Sequence, residues 1–414
     1  MKNGIKKKEE LFSWQRFKMI KNQEIIISSA NKKYLYDYKK NRFLDFCMSS
    51  GSMILGHSNK IYLKEIKKQI SLGSNYSSNN IYKKEYENTL KKVFTKFDSF
   101  VFCNSGSEAN LRALRIAKSI SKKKKVVMTS GSWHGSLDNF LFDLRFKNKK
   151  FYKYELLSSG VDLNKEETII IPHNDINNSK KILDKSISKI SMIIVEPIQA
   201  SAPNTESYKY LKFLENYCKR KRVILCFDEI ITGLRVKNLS IYKKYNLKPD
   251  IVTFAKCFGG GLPIGIVAYN KIIKKKLEKL KNKIFFGGTY SGNPLSTRIG
   301  HKTFKFILKN QNIINTKINY LGELIENEIN QFCEKNNINF KFLRYESILK
   351  PAFNLKKQTK KFEKNKYFIQ FRNYLLKNKI FISNNCCFFI SYCHNRQDCS
   401  KLIAIIKKFL LSNK

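Results

Sequence analysis

Long apolar runs are missing from this 414-residue sequence. None approaches the ~20 residues that a helix needs to cross a bilayer, so a membrane-spanning protein is not expected. The stretch Met1 to Phe12 is basic and polar, without the apolar core of a secretory leader. The ten cysteines contain no C-x-x-C pair, and the adjacent Cys386 and Cys387 are a poor chelating arrangement. Most of the cysteines stand inside apolar runs, where a free thiol behaves as a small buried hydrophobe. No metal site is expected, and a reducing, cytosolic compartment fits. No internal repeat is present. Acidic residues are scarce as well: 32 Asp and Glu face 80 Lys and Arg, for a net charge of +48. Such a surplus can serve nucleic acid or an anionic membrane surface. Here the lysines are scattered along the whole chain among many Asn and Ile, which reads as a biased vocabulary laid over solvated faces. A dedicated nucleic-acid binder concentrates its charge on one face or tail.

What is present is enough apolar material for a sizeable interior: 42% hydrophobic and 13% aromatic residues. The length suits one large α/β domain with a smaller one. Two short β-type segments, Lys33 to Tyr38 and Phe43 to Phe46, read as a hairpin. A glycine-bounded loop over residues 50–57 follows, then a helical pattern with Ile61, Ile66 and Ile70 inward. From about residue 85, helical patterns alternate with buried strands, which argues for a mostly parallel sheet with crossover helices. From about 300 the chain turns helical, with Phe304, Ile307, Ile313 and Ile314 in the apolar set. A charged link, residues 356–366, leads to a helix near 367–377. Short strands at 380–382 and 388–391 and a final helix over 398–411 complete an α+β tail. The expected division is an N-terminal segment, 1–50, a large domain, 51–305, and a C-terminal small domain, 306–414.

The polar residues of interest stand where apolar runs stop. Phe100 to Phe102 ends at Asn104-Ser105-Gly106-Ser107-Glu108, a strand feeding a helix start, where free backbone N–H groups and a positive dipole end make a phosphate seat. Val126 to Met128 leads to Trp133-His134-Gly135. Met192 to Val195 ends at Glu196-Pro197-Ile198-Gln199, and Val223 to Phe227 at Asp228. Ile251 to Phe254 ends just before Lys256, which enters a Gly259-Gly260-Gly261 cluster. In a parallel sheet these strand ends share one edge, and ligands bind there.

These blocks, with Asp228-Glu229-Ile230-Ile231-Thr232-Gly233 and Gly288-Thr289-Tyr290-Ser291-Gly292-Asn293-Pro294, resemble the class III aminotransferases, pyridoxal-phosphate enzymes of fold type I. Within that family the look is closest to the glutamate-1-semialdehyde 2,1-aminomutase group, over residues 30–410. The resemblance implies an α/β fold with a mostly parallel central sheet and a smaller α+β domain built from both chain ends. It implies that Lys256 forms a Schiff base with pyridoxal 5'-phosphate and then carries a proton between substrate and coenzyme. Asp228 would pair with the pyridine nitrogen, or is a helix N-cap aspartate. Ile230 would pack one ring face and Trp133 stack on the other, unless Trp133 is a plain core residue. Ser105, Gly106 and Ser107 would hold the phosphate, and Thr289 would add a hydroxyl from the neighbouring subunit of a homodimer. Gln199 would contact the ring hydroxyl, or is a solvated loop glutamine. His134 and Glu196 belong to the matching motifs, as catalytic groups or as scaffolding.

The substrate half departs from the aminomutase group. The Pro-Val-Arg-type block that carries a carboxylate-binding arginine is not reproduced near Arg16, and the glycine- and serine-rich loop expected after Gly135 is missing from 136–160. The leading expectation is an aminotransferase acting between an amine donor and a small aldehyde or keto acceptor, including a keto sugar. The alternatives are a true aminomutase making 5-aminolevulinate, and a non-catalytic basic nucleic-acid-binding or scaffold protein on the same fold.

Overall fold

The computed structural model describes residues 25–413 except 77, 148–149, 159, 162–166, 205 and 354–360. The expectation placed on Arg16, and the part of the charged link before residue 361, lie outside the described residues.

A seven-stranded sheet dominates the fold. In spatial order its strands are Ser99–Cys103, Gly265–Tyr269, Ile251–Ala255, Ile224–Asp228, Ile190–Val195, Lys125–Thr129 and Thr168–Ile171. All run parallel except Gly265–Tyr269, which is antiparallel to both of its neighbours. That strand was not foreseen from the sequence, because it follows directly on the glycine cluster and carries only five residues. The central strands read as continuous apolar runs because both faces of the sheet are covered. Along Ile224–Asp228, Leu225 and Phe227 enter one core cluster, while Ile224 and Cys226 enter the other on the opposite face.

The smaller elements come from both ends of the chain. The hairpin Tyr34–Asp37 with Arg42–Asp45 is joined on one side by Ile27–Asn31 and on the other, in parallel, by Ile380–Phe381. A second sheet combines Phe340–Tyr345, Ile348–Phe353 and Phe388–Phe389. The helices Gln311–Lys335, Lys361–Lys377 and Arg396–Ser412 belong to this C-terminal part.

Two helical faces differ from the sequence expectation. On Lys60–Ile70, Tyr62 and Gln69 are buried and Ile70 is 58% exposed. Around residue 313, Ile307 and Ile314 point inward while Ile313 is 61% exposed. Adjacent positions on a helix lie about 100° apart, so Ile313 and Ile314 do not share a face. Residues 142–156, read as a stretch merely lacking a mobile loop, form an antiparallel hairpin of Phe142–Lys147 with Lys150–Leu156. The alternation Phe142-Asp143-Leu144-Arg145-Phe146 was the available signal. All ten cysteines are free, and all but Cys393 are buried. Among the described residues no cluster suits a metal ion, and no helix is long and apolar enough to cross a membrane.

Candidate active site

The carboxyl ends of the parallel strands open on a cavity of about 360 Å³, whose walls include Gly106, Ser107, Trp133, Asp228, Ile230 and Lys256. Strand Ile224–Asp228 supplies Asp228 as its last residue, and the neighbouring Ile251–Ala255 supplies Lys256 as the next residue after it. In register, Asp228 lies opposite Thr253.

That register sets up a hydrogen-bond chain. Thr253 Oγ1 donates to Asn110 Oδ1 (2.8 Å), and Asn110 Nδ2 donates both to Asp228 Oδ2 (2.8 Å) and to the His134 carbonyl (2.9 Å). His134 Nδ1 lies 2.8 Å from the same Asp228 oxygen. A carboxylate only accepts, so the imidazole proton sits on Nδ1. The other ring nitrogen, Nε2, is buried without a partner, and Phe140 stands edge-on to the ring at 5.4 Å. Among the described residues Asp228 Oδ1 accepts only from the Ile230 amide, at 3.1 Å. One oxygen is therefore fixed by the protein, while the other has capacity left at the cavity wall.

Lys256 adopts a left-handed backbone, φ +50°. For a non-glycine residue this conformation is strained and persists only where the surroundings impose it, which happens most often at functional sites. Its Nζ has no hydrogen-bond or ion-pair partner among the described residues. Burial lowers its pKa from the ordinary lysine value, against the opposing pull of Glu196 and Asp228. Glu196, at the end of Ile190–Val195, accepts from the Trp133 amide at 2.6 Å. Burial raises the Glu196 carboxyl to about 7, partly offset by His134, the Trp133 amide and Lys256. Glu229 turns away from the cavity. It takes the Thr232 hydroxyl (2.6 Å) and the amides of Ile241 (3.0 Å) and Tyr242 (2.9 Å), and so caps a neighbouring helix.

The helix Gly106–Ser121 starts at the cavity. Ser105 is its N-cap, with Oγ accepting from Glu108 N at 3.1 Å. The Gly106 and Ser107 N–H groups have no intrahelical acceptor. A Cβ on Gly106 would stand 2.6 Å from Ile230 Cδ1, so a side chain there requires the Ile230 end to shift from this wall. Gly135, at φ +98°, packs the Trp133-His134-Gly135 turn against Ser107, whose Oγ accepts from Ser136 N at 3.2 Å.

Four of the residues singled out in the sequence stand off the cavity. The Ser105 hydroxyl is committed to its cap, and His134 lies behind Asp228. Gln199 is neither at the cavity wall nor solvated: its buried amide donates to Thr129 Oγ1 (3.2 Å), the Ser130 carbonyl (2.9 Å) and Ser132 Oγ (2.9 Å), tying two strand-end loops together. Thr289 is exposed on a loop that Arg112 anchors through the Gly287 carbonyl (3.1 Å) and Ser291 Oγ (2.9 Å). Trp133 is 51% exposed and is not a core residue. Sequence reasoning missed Asn110 and Thr253, polar residues whose burial only the register reveals.

The walls suit the coenzyme that the sequence blocks imply. Free amides at a helix start can take its phosphate, Asp228 Oδ1 can accept from a ring N–H, and the Lys256 amine shares the same cavity. The profile of the family described as aminotransferase class-III matches residues 18–410. A glutamate-1-semialdehyde 2,1-aminomutase from Caldicellulosiruptor bescii is 30% identical, with 96% of this chain and 93% of that protein covered. One from Caldicellulosiruptor saccharolyticus is 31% identical over 95% and 92%. Among solved structures, an omega-transaminase from Sphaerobacter thermophilus superposes with a TM-score of 0.86 at 16% identity, over 95% of this chain and 92% of that one. A glutamate-1-semialdehyde aminomutase from Pseudomonas aeruginosa PAO1 gives 0.80 at 17% identity, over 93% and 87%. At such identities these structures establish the fold alone.

Proposed function

This chain belongs to the class-III aminotransferase family, enzymes that depend on pyridoxal phosphate, and from that premise we propose that it moves an amino group from a donor amino acid to a small aldehyde or keto acceptor, a keto sugar included. The observation that carries the proposal is the delivery of Lys256 and Asp228 into one cavity by adjacent parallel strands. When bound, pyridoxal phosphate supplies an electron sink for the substrate carbon whose proton is removed.

The chain's own residues do the rest. Lys256 would hold the coenzyme through its amine, and the same amine, once free, would take a proton from the substrate carbon and return it. Burial favours the neutral, proton-accepting form of that amine. Asp228, held by Asn110 and His134, keeps a proton on the ring nitrogen through Oδ1. Gly106 and Ser107 would bind the phosphate with amides and a hydroxyl, and Ile230 and Trp133 would pack against the ring. Ser105, His134 and Gln199 act at one remove, by fixing the helix start, Asp228 and the strand-end loops. Thr289 serves the site of a second copy, in a homodimer located in the cytosol. The same reading divides the chain near residues 50 and 305.

A second reading, the glutamate-1-semialdehyde 2,1-aminomutase, is favoured by the printed names of the relatives at 30–31% identity. One assay separates the two. Given glutamate-1-semialdehyde and no other amino acid, the protein is expected to yield no 5-aminolevulinate, and to turn over once a donor and acceptor pair is supplied. Formation of 5-aminolevulinate from the semialdehyde alone would establish the aminomutase.

A further inference from the structure

Gln199, the residue expected at the ring hydroxyl of the coenzyme, is committed to the strand-end loops, and the cavity wall holds Glu196 instead. The strand order fixes which side of the ring that hydroxyl faces. The phosphate seat at Gly106 and Ser107 follows Ser99–Cys103, on one side of the strand that ends at Asp228. Glu196 follows Ile190–Val195, which pairs with that strand on its other side. Phe227 lies opposite Val195, so Asp228 and Glu196, the next residue on each strand, stand level at the sheet edge, one strand spacing of ~4.8 Å apart. In pyridoxal phosphate the phosphate arm and the hydroxyl occupy opposite flanks of the axis from ring nitrogen to aldehyde carbon. With the nitrogen at Asp228 and the phosphate arm toward Gly106, the hydroxyl turns toward the strand that carries Glu196.

Glu196 has an oxygen to spare there. Its Oε1 accepts from the Trp133 amide at 2.6 Å, while Oε2 makes no hydrogen bond among the described residues. The side chain is buried and yet lines the cavity. The charged groups that act on it are Asp228 and Lys256 in the same wall and His134 behind Asp228. Burial outweighs them and raises the carboxyl to about 7. A carboxyl that holds its proton has one O–H to donate, and a buried donor without an acceptor is costly. The ring oxygen of the coenzyme, next to the reacting carbon, is a phenolic acceptor, and an O–H···O⁻ bond is of the strong, charge-assisted kind.

We propose that Glu196 is the residue that binds the ring hydroxyl of the coenzyme, donating the Oε2 proton to that oxygen while Oε1 stays on the Trp133 amide. The proposal rests on the reading of Lys256 and Asp228 as the residues that hold the coenzyme. It makes Glu196 a coenzyme ligand and not only a scaffold for the Trp133 turn.

The 3-deoxy analogue of pyridoxal phosphate, which lacks only this hydroxyl, isolates the contact. Kd values for the coenzyme and the analogue are measured by fluorescence titration of the full chain, as wild type and as Glu196→Met. The loss of affinity on removing the hydroxyl is expected to be at least ~10-fold greater in the wild type than in Glu196→Met. Whatever the hydroxyl does without Glu196 is common to both proteins and cancels. Glu196→Gln keeps an oxygen for the Trp133 amide and an N–H for the ring oxygen, so it should retain most of the wild-type discrimination. Relative to that variant, the wild type should bind the coenzyme less tightly as pH rises through about 7, because the donated proton is the one that titrates. Equal losses in the wild type and Glu196→Met overturn the contact and leave Glu196 as scaffold or as a counter-charge to Lys256. If Glu196→Met does not fold, the pH comparison decides, and parallel curves for the wild type and Glu196→Gln overturn the contact. A wild type whose bound coenzyme shows no visible band, or one that persists in Lys256→Ala, overturns the Lys256 reading itself, and the contact with it.

Discussion

Glu196 and Lys256 approach neutrality from opposite sides for one reason, burial at a shared cavity. The carboxyl is raised from 4.5 to about 7 and the amine is lowered. A folded-state pKa raised above the unfolded value contributes stability at low pH that is lost as pH rises through the folded pKa. Glu196 therefore makes the fold less stable between about pH 4.5 and 7. Glu196→Gln keeps an oxygen for the Trp133 amide and removes the titration. Its melting temperature is expected to gain on the wild type as pH rises across that window, and thermal unfolding at a series of pH values checks this. Part of the wild-type slope remains in the variant, because burial also raises Glu229 to about 7. Asp228 and Lys256 were legible in the sequence because each follows an apolar strand, and a strand end fixes where a side chain emerges. Gln199 and Ser105 were not, because motif position does not say whether a polar group turns to a ligand or to a neighbouring loop.

At the scale of elements, the start of Gly106–Ser121 and the turn after Asp228 meet so closely that a Cβ on Gly106 requires the Ile230 side chain to move. Ile230 Cδ1 lies 2.6 Å from where that atom would sit on Gly106. Gly106→Ala is expected to push the helix start off the cavity wall, at ~1–3 kcal/mol of overpacking, and to weaken coenzyme binding about tenfold or more. Ile230→Val removes Cδ1, so the double variant Gly106→Ala/Ile230→Val should recover most of the affinity. Fluorescence titration of the coenzyme in the four proteins of this cycle measures the coupling. The parallel strands were readable as apolar runs broken by polar residues. The hairpin Phe142–Lys147 with Lys150–Leu156 showed its alternation but lay where a loop was expected. Gly265–Tyr269 was hidden by the glycines before it.

At the scale of the molecule, Arg235 joins distant parts of the chain. Fully buried, it donates to the carbonyls of Gly51 and Ile390, the latter at 2.8 Å, and to Ser347 Oγ at 3.3 Å, and lies 5.3 Å from the Phe389 ring centroid. It has no carboxylate partner among the described residues, so desolvation lowers its pKa. Arg235→Met relieves a buried charge but takes their donor from the Ile390 carbonyl and Ser347 Oγ, at ~1–3 kcal/mol each, while the Gly51 carbonyl keeps the Cys257 thiol at 3.2 Å. The second effect wins, and a loss of several kcal/mol in denaturant unfolding is expected. No local pattern could reveal this tie, nor the pairing of Ile380–Phe381 with Leu44 and Asp45, because the partners lie more than a hundred residues apart. The central claim is that one lysine, in a chain with so many, carries the coenzyme. Borohydride reduction of the loaded protein followed by peptide mass mapping tests it most directly. The account predicts the pyridoxyl mass on the peptide containing Lys256 and its disappearance in Lys256→Ala; the same mass on a different lysine, or its persistence in Lys256→Ala, would contradict it.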